Sequence, residues 1–235
     1  MSPFSRRAVL MGLGAAGVSA ALPGPVAAQN PFQRMDGRPW IFLTDAEARF
    51  LAAAGDTLIP GDDFPSATQA GVVDFIDLQL AGPYGRGAHL YLKGPFPEGR
   101  SEQGWRMPYT PADLFRRAIA LMGESGTPLD DLDAAGREAA MTRLSEGETE
   151  IGPDIPATEF FDELWALVRE GYFADPIYGG NRDYAGWEMV GFPGAHAYYL
   201  DFVEVNAPYP VEPRGIAHVP GTRRSADVST ARRGG

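Results

Sequence analysis

Five stretches of this chain repeat their apolar residues at helical spacing, and no apolar–polar alternation runs beyond four residues. That pattern rules out a core built on a β-sheet and predicts a mostly α fold. The first stretch is "FLTDAEARFLAAAGDTLIPG". Thr44 is placed to cap it with Glu47 three residues on, Phe50, Leu51, Ala54 and Leu58 share a face, and Pro60-Gly61 stops it. The second, "SATQAGVVDFIDLQLAG", carries Val72, Phe75, Ile76 and Leu80 on a stripe. The third, "YTPADLFRRAIALMGE", opens with Thr110, Pro111 in the first helical position and Asp113 completing a capping box. The fourth, "LDDLDAAGREAAMTRLSEG", has a weaker face of Leu132, Ala135, Ala139 and Leu144. The fifth, "PATEFFDELWALVREGYF", has a wide one of Phe160, Phe161, Leu164, Trp165 and Val168.

Between these helices the chain is punctuated by 29 glycines and 21 prolines, which predicts long ordered loops within one domain of about five helices. Two loop regions stand out. "PYGRGAHLYLKGPFPEGRSEQGWRM" is 25 residues without periodicity, and "FADPIYGGNRDYAGWEMVGFPGA" packs five aromatics and five glycines into 23 residues. Aromatics such as Trp105, Tyr178, Trp187 and Phe192 suit either a loop-rich core or the centre of a partner interface. Asn181 sits among them and completes the candidate interface set. From residue 208 the chain has five arginines against Glu212 and Asp227, and a mobile basic tail is expected over residues 208–235 on a body whose whole-chain net charge is −11.

The N-terminus reads as an address. Arg6 and Arg7 precede an uncharged run from Ala8 to Leu22, and small residues lead to a signal-peptidase site after Ala28. A run of 15 residues reaches about 22 Å as a helix, short of a roughly 30 Å bilayer core. "SRRAVLM" is similar to a twin-arginine export signal. Residues 1–28 are therefore expected to be a signal peptide that directs the chain to the periplasm, 29–41 an extension, and 42–207 the helical domain.

Several chemistries are excluded by residue type. With no cysteine there are no disulfides, thiolate metal sites, iron–sulfur clusters or cysteine nucleophile. His89, His196 and His218 are the three histidines and form no metal-binding pair in sequence. The acidic balance disfavours nucleic acid. "GLGAAG", with Gly12, Gly14 and Gly17, has the GxGxxG spacing without the strand and helix that a dinucleotide site needs. "DLDAAG" offers Asp131 and Asp133 as calcium ligands, but Ala135 and Thr142 occupy later ligand positions. Asp154, Glu159, Asp162 and Glu163 could furnish a carboxylate pair for glycoside hydrolysis, but acids at a solvated helix N-terminus explain them better. No GxSxG, SxxK, P-loop or HExxH occurs. The residues alone thus point to no catalytic, cofactor-binding or metal site in this chain.

"LTDAEARFLAAAGDTLIPGDD", "GVVDFID" and "EFFDELWALVREGYFADPIYGGNRDYAGWEMVGFPG" together resemble the gluconate 2-dehydrogenase subunit 3 family. The resemblance implies a small accessory subunit of a periplasmic sugar, polyol or sugar-acid dehydrogenase. It implies a large partner of the glucose–methanol–choline class that holds FAD and performs the oxidation. It also implies a multihaem cytochrome c that passes electrons to the membrane, and a small subunit that stabilises the large one and supplies its export signal. The alternative from the residues is a stand-alone periplasmic sugar-binding or hydrolytic protein, with Trp187 and Tyr178 as platforms and Asn181, Arg182 and Asp183 at their edges.

Overall fold

The computed structural model describes residues 37–96, 104–105, 107–126, 128–205, 209 and 211–217. Arg6, Arg7 and Ala28 lie outside them. Among the described residues there are six α-helices and no strand: α1 Asp45–Leu58, α2 Val72–Ala81, α3 Pro111–Ser125, α4 Ala134–Ser145, α5 Ala157–Phe173 and α6 Ala185–Val190. None of these helices is long and apolar enough to cross a membrane. The fold is mostly α, as the helical periodicity predicts.

α1 is the hub, touching α2, α3, α4 and α5. It can do so because Ala48, Ala52, Ala53 and Ala54 are all buried and bring neighbouring backbones close, while Phe50 and Leu51 supply bulk. Its capping box is formed: Thr44 Oγ1 accepts from the Glu47 amide at 3.3 Å and the Glu47 carboxylate accepts from the Thr44 amide at 2.7 Å. α3 begins with the same device from Thr110 and Asp113. The aromatic centre lies where α5 meets α1 and α3. Phe160 is fully enclosed, edge-on to Phe115 with ring centroids 5.3 Å apart and 6.4 Å from Phe50. Burying each such ring stabilises the fold by roughly 2–3 kcal/mol.

Two helices differ from the sequence expectation, and a sixth, α6, forms inside the stretch 173–195 expected to be loop throughout. The second stretch does not run unbroken from Ser66. Residues 66–70 make one turn, which ends in a Schellman motif: the Gly71 amide donates to Thr68 O and the Val72 amide to Ala67 O, both at 3.0 Å, with Gly71 at φ 82°. α2 then starts afresh at Val72. In the fourth stretch, Leu129–Asp131 form a 3-10 turn and Asp133 caps α4 by accepting from the Gly136 amide at 2.8 Å, which is the role the supposed calcium-loop acid plays. Ala135 and Ala139 face outward, and Met141 and Leu144 are the buried residues. Alanine has too little apolar area to orient a helix against two larger side chains three residues apart.

α2 carries Asp77, a carboxylate with no exposed surface, and it organises the chain before α1. Its oxygens accept from the amides of Ile41, Phe42 and Leu43 at 2.9, 2.8 and 3.0 Å. Arg116 of α3 closes the same corner, donating to Phe42 O at 2.8 Å with its guanidinium 4.3 Å from the Phe42 ring centroid.

Candidate partner-docking site

Past the end of α5, the Gly- and aromatic-rich segment folds back over the helix that precedes it. Asp175 caps a 3-10 turn, Pro176–Tyr178, by accepting from the Ile177 amide at 3.0 Å. The chain then presses its backbone against the last turn of α5. A Cβ on Gly180 would overlap the Gly171 carbonyl oxygen, and one on Gly186 would overlap that of Tyr172. Glycine is obligatory at both places because any side chain would push the loop off the helix.

Asn181 is the fastener. It is fully enclosed, its amide donates to Gly171 O at 2.8 Å, its Nδ2 donates to Ala174 O at 2.8 Å, and its Oδ1 accepts from the Gly186 amide at 2.9 Å. It is left-handed at φ 48°, and so are Asp183 at 53° and Tyr184 at 61°. Each such non-glycine residue costs roughly 1–2 kcal/mol, so the loop persists only because its surroundings over-determine it. Arg182 supplies one restraint: its amide donates to Ala70 O at 3.0 Å, and its guanidinium pairs with the buried Asp74 carboxylate of α2. Trp187 supplies another. Its indole N–H donates to Phe173 O at 2.6 Å, one face stacks on Tyr184 at 5.5 Å, and Phe192 meets it edge-on at 5.1 Å.

Residues beyond the loop lace over it. Gly194 pairs with Arg214 in a parallel bridge, in which the Ala195 amide donates to Arg214 O and the Arg214 amide to Pro193 O. The Gly215 amide donates to the Tyr184 hydroxyl at 3.1 Å, and the Ile216 amide to Asp175 Oδ2 at 2.7 Å. Residues 211–217, the start of the expected tail, thus lie against the loop; residues 218–235 are outside the described part. His196, Tyr199, Phe202 and Tyr209 form a ring cluster beside it, and the Tyr199 hydroxyl donates to Gly194 O.

The loop is thus held at several points while a number of its apolar side chains stay exposed. Thirteen large apolar side chains are exposed among the described residues, and eleven of them lie between residues 177 and 216. Ile177 and Ile216 are brought together because their amides share the Asp175 carboxylate. Tyr178, Met189, Val190 and Phe192 come from the loop itself, and Leu200 and Val203 flank the turn that seats Phe202 on Tyr209. The exposed apolar residues are thus concentrated in one stretch of the chain rather than scattered along it.

A family model, gluconate 2-dehydrogenase subunit 3, matches residues 45–194. The chain belongs to this family. No curated protein and no solved structure matches it. The gluconate 2-dehydrogenase subunit 3 match begins at the first residue of α1 and ends at the Gly194 bridge, so it takes in the helical body and the whole loop. Tyr198, Leu200, Val203, Val205, Val211 and Ile216, six of the eleven exposed residues, fall beyond the match.

The sequence-named residues separate by location. Tyr178 and Phe192 are half exposed on the apolar surface, whereas Trp187 and Asn181 are buried beneath it. Trp105 is half-buried elsewhere, its indole N–H shared between Met107 O at 3.0 Å and Tyr109 O at 2.9 Å. The sugar-platform arrangement is not assembled: Trp187 is covered, Asn181 is enclosed and Arg182 is committed to Asp74. Trp105 lines a cavity of about 260 Å³ with Tyr84, His89, Glu159, Asp162 and Glu163. There the Tyr84 hydroxyl donates to Glu163 Oε2 at 2.7 Å. Burial, then the Glu163 charge, drives the Tyr84 hydroxyl far above its usual range and keeps it protonated. Burial also raises the Glu163 carboxyl; the Tyr84 bond opposes this, and Glu170, Glu159 and Asp162 add to it. Asp154 lies outside that cavity, 3.9 Å from Arg117. Among the described residues no three His, Asp or Glu are grouped so as to hold a metal ion.

Asp74, Asp77, Asp175 and Tyr184 are organising residues that sequence reasoning missed. The available signal was the pair of acids inside the apolar α2 stretch "VVDFIDLQL", where a buried carboxylate demands a partner from elsewhere in the chain.

Proposed function

We propose that this chain is the small, non-catalytic subunit of a periplasmic flavoprotein dehydrogenase, and that it stabilises and co-exports the large subunit. In this reading FAD belongs to a glucose–methanol–choline-type partner, and a multihaem cytochrome c carries electrons to the membrane. The observation that carries the reading is the exposed apolar surface fixed on a strained, heavily restrained loop. A catalytic loop would direct polar groups into a cavity; here Asn181 uses its polar groups to hold the loop, while Ile177, Tyr178, Met189, Val190 and Phe192 are exposed. Membership of the gluconate 2-dehydrogenase subunit 3 family supports it, and Arg6-Arg7 ahead of an uncharged run gives the export role a means.

The test is a double substitution, Arg6→Lys with Arg7→Lys, in cells that also make the flavoprotein. Flavoprotein activity is expected to remain in the cytoplasm. Normal periplasmic activity from a flavoprotein with no signal of its own would refute the export role. Loss of FAD-containing protein from material purified through this chain, with both polypeptides expressed, would refute the partnership.

A further inference from the structure

A cavity of about 610 Å³ lies between α1, the C-terminal half of α3, the 3-10 turn Leu129–Asp131 and α4, a volume in the range of small-molecule sites. Its apolar lining is the covered part: Phe50, Ile119 and Leu129 are buried, and Met122 and Leu132 are half-buried. Its charged lining faces solvent. Arg49 donates through Nε to Asp130 Oδ2 at 3.1 Å, so these two neutralise each other. Asp131 and Arg143 are exposed and, among the described residues, pair neither with each other nor with another side chain. One carboxylate and one guanidinium are thus left over at the same cavity. α3 ends in that lining too, at Gly123, Ser125 and Gly126, and the carbonyls of a helix's last turn favour a cation.

We propose that this cavity binds a small zwitterion with an apolar body, of the class of an apolar amino acid or a short apolar peptide. The ligand's carboxylate pairs with Arg143, its ammonium pairs with Asp131 and the terminal carbonyls of α3, and its side chains lie along Phe50, Ile119, Met122 and Leu129. Every other charge state leaves a mismatch. A monoanion would satisfy Arg143 and set Asp131 against a like charge, and an organic cation would do the reverse. An uncharged apolar ligand would cover both groups and pair neither, and a charge taken from water without a partner is destabilising. None of the residues involved belongs to the stretch 177–216 that carries the accessory-subunit reading, so the two stand or fall separately.

Isothermal titration calorimetry of the full chain with phenylalanyl-leucine tests this, beside the N-acetyl dipeptide, its C-terminal amide and free phenylalanine. The dipeptide is expected to bind, and acetylation or amidation should each weaken binding about tenfold, because each removes one charge-assisted pair. Arg143→Gln should weaken the dipeptide about tenfold and erase the difference between it and its amide, while the penalty for acetylation remains. Asp131→Asn should do the converse. Both side chains are exposed, so folding is retained. Ala140→Phe places a ring in the cavity and should remove binding of all four molecules. Free phenylalanine that binds as tightly as the dipeptide supports the proposal with a single amino acid as ligand, and a preference for the dipeptide supports it with a peptide. No saturable binding of either molecule overturns the site. Acetylated and amidated dipeptides that bind as tightly as the parent overturn the zwitterion and leave a site for an uncharged apolar molecule. Binding that survives Ala140→Phe, or charge variants that leave every affinity unchanged, overturns the placement of the ligand in this cavity.

Discussion

Asn181→Ala isolates what holds the loop at residues 173–195. The substitution removes two side-chain hydrogen bonds and leaves the Gly186 amide and the Ala174 carbonyl without them, bonds of 2.9 and 2.8 Å in the native loop. The Gly186 site is buried, and each orphaned group costs about 1–3 kcal/mol. Alanine must also hold the left-handed conformation that asparagine tolerates, which adds about 1 kcal/mol. The total is about 4 kcal/mol. For a chain of this size 1 kcal/mol moves Tm by about 2–4 °C, so the variant should melt about 8–16 °C below the native protein by circular dichroism at 222 nm. Asn181→Gly loses the same bonds but keeps the backbone conformation, and should melt a few degrees above Asn181→Ala. The near-ultraviolet signal of Trp187 should weaken in both, since Gly186 precedes that ring and its position is set by Asn181. An Asn181→Ala protein that melts within about 2 °C of native, with an unchanged Trp187 signal, would refute the assignment of Asn181 as fastener.

Two further perturbations probe the half-buried Glu163 and the fully buried Asp77. Glu163 is raised in the folded state, so its contribution to stability is complete below the ordinary carboxylate range and is lost as pH rises through its folded value; the ionised form is a net cost above that. Glu163→Gln should therefore melt above native protein at neutral pH by a few degrees at most, and the gap should close in acid; a pH-independent gap would contradict this. Asp77→Ala orphans the amides of Ile41, Phe42 and Leu43 and should cost about 3 kcal/mol. Hydrogen exchange should show these three amides losing protection before those of α1, and unchanged protection would disprove the clamp.

The helices were legible because their determinants are local. Thr44 and Glu47, or Thr110, Pro111 and Asp113, lie within one turn of each other, and an apolar stripe of the α5 kind depends on period alone. Glycine and proline likewise announced the loop at residues 173–195. Its place and its strain were not legible. Asp77 reaches Leu43 across 34 positions, and Arg182 reaches Asp74 across 108. No short-range pattern encodes contacts at such separations, and whether Trp187 faces inward or outward is settled only when the α5 terminus offers Phe173 O to its indole. Local pattern therefore sets the helical class, the caps and the need for an ordered, aromatic loop. Tertiary structure decided which rings are core and which are surface, because burial belongs to the neighbours a residue acquires and those neighbours come from distant parts of the chain.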